Sequence, residues 1–176
     1  MKTALDQLAN YATYHRDRRN IATHLVGVPM IMFAVVALLS RPAFEFGGMT
    51  LSPAILTLIA AGAYYVILDA GLGIALTAII AVMAWGGMRI AAMETAAWLG
   101  WGIGLFVVGW IIQFIGHYYE GRKPAFVDDI IGLMIGPLFV LAEVVFMLGL
   151  RRELLAAIEA RVGPTHIRVM GREAAS

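Results

Sequence analysis

Ile21-Ala-Thr-His24-Leu-Val-Gly27-Val-Pro29-Met-Ile-Met-Phe-Ala-Val-Val-Ala-Leu-Leu39 runs without one Asp, Glu, Lys or Arg. At about 1.5 Å per helical residue it reaches close to the roughly 30 Å of a hydrocarbon core. Four further apolar runs follow: Leu51–Leu68, Ala70–Met88, Ala96–Ile115 and Ile130–Leu150. Each spans about 27–31 Å as a helix, and none alternates with the period of a barrel strand. The expected fold is therefore all-α, an integral membrane helical bundle with four to five membrane segments. The first run is expected to stay as a membrane helix, since no compact signal peptide with a small-residue cleavage site is visible.

Composition agrees. The 176 residues are 61% hydrophobic and 14% charged, well below the roughly 25% charged of a soluble domain. Mean hydropathy is +0.81. A net charge of +1 gives no field for nucleic acid. Cysteine is absent, which excludes disulfides, thiolate metal sites and a cysteine nucleophile.

The separators are short. Arg41 to Thr50 reads as a turn. Asp69 alone divides the second and third runs, which form either a tight hairpin or one long broken segment, and it caps a helix or only marks the turn. The loop from His117 to Asp129 carries the most chemistry. Past Leu150 an amphipathic helix is expected to about Val162, ended by Gly163-Pro164, and then a loose tail. We divide the chain into a membrane domain, 1–150, and a C-terminal helix and tail, 151–176. Glycines such as Gly71, Gly73, Gly100, Gly102 and Gly104 are read as close helix contacts.

Lys2, Arg16, Arg18 and Arg19 precede the first run, and Arg122 and Lys123 follow the fourth. Both groups belong in the cytoplasm by the positive-inside rule. Four crossings between them satisfy that and bring His15, His24 and His117 to one cytoplasmic edge. The fifth run conflicts, because a full crossing would export Arg151, Arg152, Arg161, Arg168 and Arg172. A re-entrant or tilted segment is expected there. In a prokaryote the location would be the inner membrane.

Three of the four histidines thus gather at one edge. Imidazoles with carboxylates and no thiolate suit iron, zinc or manganese. His117 and Glu120 share a helical face. His15 and His24 are nine apart, opposite each other on a straight helix, so a shared ion requires a bend, expected near Asn20. Asn20 is read as orienting a ligand or capping the first membrane helix. The plainer reading of an edge histidine is an amphipathic headgroup residue. His166 is read as a surface residue. Glu143, inside the fifth run, must be paired, neutral or functional. Arg122 or Lys123 is placed to hold a substrate carboxylate. Tyr11, Tyr14, Tyr118 and Tyr119 read as interfacial residues, and Trp98, Trp101 and Trp110 as packing or lipid-facing ones.

Three signatures carry a resemblance. They are Tyr11-x-x-Tyr14-His15 with Asn20-x-x-x-His24-x-x-Gly27-x-Pro29, then Gln113-Phe-Ile-Gly116-His117-x-x-x-Gly121-Arg122-x-Pro124-Ala125, and Pro137-Leu-Phe139 with Glu143. In these the chain resembles a small membrane-protein family, formerly a domain of unknown function, that contains the fungal endoplasmic-reticulum 2-hydroxy fatty acid dioxygenase of phytosphingosine breakdown. The resemblance implies an Fe(II)-dependent dioxygenase of fatty acid alpha-oxidation. It would convert a long-chain 2-hydroxy fatty acid and O₂ to an acid one carbon shorter. The implied metal ligands are His15, His24 and His117, with Glu120 in their neighbourhood. Asn20 joins them in the catalytic group, and Tyr14, Gln113, Arg122 and Lys123 are the expected substrate-side residues. Competing readings are a transporter, a non-catalytic assembly protein and a zinc-dependent lipid hydrolase. Oligomeric state is not legible here.

Overall fold

A computed structural model describes residues 2–127 and 131–169. Asp129, Ile130 and Arg172, with the end of the expected tail, lie outside the described residues. The helices are α1 Ala4–Ala12, α2 Arg18–Ser40, α3 Pro53–Leu68, α4 Ala70–Ala91, α5 Thr95–Glu120, α6 Ile131–Met147 and α7 Arg152–Val162. A short hairpin joins β1 Phe44–Phe46 to β2 Met49–Leu51. The chain is otherwise all-helical.

Two compact units arise, Met1–Val26 with Ile112–Ser176, and Gly27–Ile111. In the second, α3 and α4 pack as a tight hairpin about Asp69, one of the two arrangements the sequence left open. Asp69 caps α4, its Oδ1 accepting the Leu72 N–H at 2.9 Å. Gly73 and Gly102 have no room for a Cβ, against the Tyr65 backbone and the Leu38 side chain, while Gly100 and Gly104 face open space. The separator expected as a simple turn is a paired hairpin, with Phe44 opposite Leu51 and Phe46 opposite Met49. Gly47 and Gly48 take φ of 58° and 79°, the left-handed pair that a two-residue hairpin demands. The Gly-Gly step between alternating apolar residues was the signal for it.

Large apolar side chains are left bare on the second unit, Ile67 at 70% and Val82 at 69% among them. Such surface has no place in water. Helices α2, α4 and α5 are each long and apolar enough to cross a membrane. The chain is a membrane protein. With 16 residues, α3 reaches only about 24 Å. The fifth run forms α6, of 17 residues, and the chain turns sharply after it, α6 and α7 meeting at 116°. The turn between them holds Arg151 at φ 52°.

In the first unit α1 packs on α6 and α7. A capping box starts α1: Asp6 N–H donates to Thr3 Oγ1 at 3.1 Å, and Thr3 N–H to Asp6 Oδ2 at 3.0 Å. Its buried face carries Gln7, Leu8, Tyr11 and Ala12, and the Tyr11 ring lies 5.0 Å from that of Phe139. The start of α2 lies tightly on the end of α5. A Cβ on Gly116 would collide with Thr23 Oγ1 and Asn20 Oδ1. Gly116→Ala is therefore expected to cost about 1–3 kcal/mol through overpacking. A lowered unfolding temperature in detergent would show it, and an unchanged one would contradict this close approach.

Candidate metal centre

Helix α1 ends at Ala12, and the chain bends through Thr13–Asp17 before α2 begins at Arg18. The bend is therefore ahead of Asn20, where it was expected. Nor does Asn20 cap α2. The Asp17 carboxylate accepts the Arg19 N–H at 2.8 Å instead. The bend turns His15 back onto His24, while His117 arrives from the last turns of α5. All three imidazoles are buried. Ring centroids are 4.4 Å apart for His15 and His24, and 5.0 Å for each with His117.

Hydrogen bonding assigns the ring nitrogens. His15 Nδ1 lies 2.8 Å from the Tyr11 carbonyl and His24 Nδ1 lies 2.9 Å from the Asn20 carbonyl. A carbonyl only accepts, so both Nδ1 atoms carry hydrogen and donate. In neutral rings both Nε2 atoms are then bare. They face each other at 3.0 Å. Burial, and next the neighbouring His24, push the His15 pKa well below its ordinary range near 6.5, so a proton shared between them is disfavoured. Two lone pairs at that spacing call for a cation. It is close to the separation of two nitrogens on one ion with bonds of about 2.0–2.1 Å. His117 Nδ1 is buried with no hydrogen-bond partner among the described residues. One ligand atom from each histidine lies within 4.8 Å of the others. The donor set fits a metal ion, with the Tyr11 and Asn20 carbonyls already orienting two of the rings.

Glu120 is not in that group. Its Oε1 accepts the Arg16 N–H at 2.9 Å, and its Oε2 accepts the Asp17 N–H at 2.9 Å and the Asn20 Nδ2–H at 2.9 Å. It clamps the bend that carries His15. Asn20 serves twice: its carbonyl orients His24, and its side chain donates to Glu120 and to the Tyr14 carbonyl. Arg16, read only as one of the basic residues before the first run, is buried. Its Nε donates to the Ala12 and His15 carbonyls, and its Nη2 lies 3.9 Å from Glu143. Glu143 is thus paired. Tyr11 is no interfacial residue either. It is buried and stacks on His15 at 4.2 Å with rings 4° from parallel.

The family model described as "2-hydroxy-palmitic acid dioxygenase Mpo1-like" matches residues 1–148. The chain belongs to this Mpo1-like family. Among curated proteins it is 29% identical over 157 residues to "2-hydroxy-palmitic acid dioxygenase MPO1" of Saccharomyces cerevisiae, covering 87% of this chain and 86% of that one. No solved structure matches. The Mpo1-like segment holds every histidine of the cluster, with Asn20, Glu120 and Glu143.

The remaining expected residues of this Mpo1-like chain are more dispersed. Gln113, one helical turn before His117, is buried with Oε1 unpartnered among the described residues. Tyr14 lines a cavity of about 20 Å³, room for little more than a water. Arg122 is exposed and donates to the Thr13 carbonyl at 2.8 Å. Lys123 is exposed beside it.

His166 has an exposed side chain, as expected of a surface residue. The segment around it is not loose, however. His166 N–H donates to the Arg16 carbonyl at 2.9 Å, Arg18 N–H to the His166 carbonyl at 2.8 Å, and Arg168 N–H to Asp17 Oδ2 at 2.8 Å. This strap closes over the bend. The Arg19 side chain and the Arg168 and Arg19 N–H groups hold the Asp17 carboxyl at about 2, below its ordinary 3.8. A depressed carboxyl stabilises the fold fully above the unfolded value and loses that contribution as pH falls through the folded one. Asp17→Asn is expected to lower the unfolding temperature at neutral pH, with the gap from wild type closing between about pH 4 and pH 2. A gap independent of pH would contradict this.

Proposed function

We propose that this protein is a membrane dioxygenase that shortens a long-chain 2-hydroxy fatty acid by one carbon, with Fe(II) held by His15, His24 and His117. The observation that carries the reading is the buried trio, with the Nε2 atoms of His15 and His24 facing at 3.0 Å. The family description and the name of the yeast relative supply the substrate class. Bound there, iron supplies the redox chemistry through which O₂ reacts. The reaction RCH(OH)COOH + O₂ → RCOOH + CO₂ + H₂O balances without an added reductant, because all four electrons come from the substrate.

This chain's own residues do the rest. Burial keeps His15 neutral at physiological pH and therefore free to ligate. Tyr11 and Phe139 wall its ring from water. Glu120 and Asn20 hold the bend and the His24 ring in place. Gln113 Oε1, one turn from His117, accepts the hydrogen of the substrate 2-hydroxyl. Arg122 and Lys123 draw in the carboxylate, and Tyr14 borders the approach. The acyl tail lies among membrane helices. We place the N-terminus and the site at the cytoplasmic face, the inner membrane in a prokaryote, from the basic groups around residues 16–19 and 122–123.

Regiochemistry tests the reading. Metal-loaded protein in detergent is supplied with 2-hydroxyhexadecanoic or 3-hydroxyhexadecanoic acid under air. Pentadecanoic acid from the 2-hydroxy substrate alone is expected. Equal consumption of both, or of neither, would overturn it.

A further inference from the structure

Beside the bend lies a cleft of about 540 Å³ with Arg16, Arg122, Arg161 and Arg168 in its wall and Glu120 as its acid. The Glu120 oxygens are already spent on the Arg16 and Asp17 N–H groups and on Asn20. Two of the arginines have a carboxylate at hand. Arg161 Nη1 lies 2.7 Å from Asp6, and Arg16 Nη2 lies 3.9 Å from Glu143. The other two do not. Arg122 Nη1 donates only to the Thr13 carbonyl. The Arg168 guanidinium makes no hydrogen bond or ion pair among the described residues, although its backbone is fixed at both ends, N–H to Asp17 and carbonyl to Arg19.

Arg168 lies so close over Gly121 (φ 70°) that a Cβ there would collide with it, and Arg122 is the next residue. Both side chains line the cleft, and among the described residues neither has a carboxylate partner. A guanidinium so placed is suited to an anion. Arg16 also lines the cleft but is held by Glu143 and the Gly163 carbonyl. Thr13, Arg16, Glu120 and Arg122 come from the segment that the family model covers. Arg161, His166 and Arg168 come from beyond residue 148, where that model ends. The second half of the cleft is thus built by the α7 and strap region of this chain.

We propose that this cleft is an oxyanion-binding site, distinct from the histidine cluster, that takes a carboxylate or phosphate group through Arg122 and Arg168. Arg122 is also the residue proposed above to draw in the substrate carboxylate, so the carboxylate case rests on that reading and the phosphate case does not. A planar guanidinium pair suits an ion with two or three oxygens. A lipid phosphate headgroup and a free fatty acid carboxylate both present that chemistry at a membrane surface.

The test uses full-length protein in a neutral detergent at low ionic strength, with bound metal stripped by a chelator that is then removed. Unfolding temperature is followed against inorganic phosphate and, separately, against octanoate. A saturable rise with at least one of them, abolished by high sodium chloride, is expected. Phosphate alone would assign the site to a phosphate headgroup, octanoate alone to a fatty acid, and both to either oxyanion. Arg168→Gln keeps the strap's backbone bonds and should weaken binding at least tenfold. Arg122→Gln should do the same, and serves if the first variant does not fold. Arg152→Gln, an arginine outside the cleft, should bind as wild type does. No rise with either anion, or binding as tight as wild type in both the Arg168→Gln and Arg122→Gln variants, would overturn the proposal.

Discussion

His24→Ala protein is expected to purify folded but with less than about a tenth of an equivalent of metal, and without measurable turnover. Loss of an outer-shell partner alone costs about 10–100-fold in metal affinity, and the loss of one of three ligands must exceed that. His15→Ala and His117→Ala should behave alike, because their ligand atoms lie within the same 4.8 Å cluster. His166→Ala supplies the control, since its exposed ring lies outside that cluster. Elemental analysis of the four variants, with circular dichroism to confirm helix content, checks the expectation. Full metal content in His24→Ala would remove that residue from the centre.

Glu120→Ala should separate a clamp from a ligand. Its carboxylate takes three N–H donors that the substitution leaves buried and unpaired. Each costs roughly 1–3 kcal/mol, so a loss of about 3 kcal/mol or more is expected, with a fall in unfolding temperature of about 6–12 °C. Metal affinity should fall about 10–100-fold as the His15 bend loosens. At saturating metal the variant should still bind one equivalent, unlike His24→Ala. Complete loss of metal at saturation, with stability unchanged, would instead make Glu120 a ligand.

Much of this was legible in the chain. Helix-length apolar runs name their own elements, because burial in lipid requires an unbroken hydrogen-bonded helix whatever its neighbours are. Thus Ala70–Met88 became α4 at Ala70–Ala91. The histidine cluster was legible for a similar reason: few polar residues are tolerated there, so those present stand out. Pairings across long separations were not legible. Arg16 reads as one more basic residue before a membrane helix, and only folding sets it against Glu143 and the Gly163 carbonyl. Glu120 shares a helical face with His117, which made it resemble a ligand. The donors that occupy it sit about a hundred residues earlier, in a bend without periodicity. The strap at 163–169 gave no signal either, because it is held through backbone groups that every residue possesses.

The proposed reaction requires both iron at the buried histidines and O₂. Detergent-purified protein would be stripped, reconstituted with Fe(II) or Zn(II), and given 2-hydroxyhexadecanoic acid under air or nitrogen. Mass spectrometry follows pentadecanoic acid. Product is expected with Fe(II) under air and in no other combination. Product with Zn(II), product under nitrogen, or none from folded protein holding one equivalent of Fe(II) under air would contradict it.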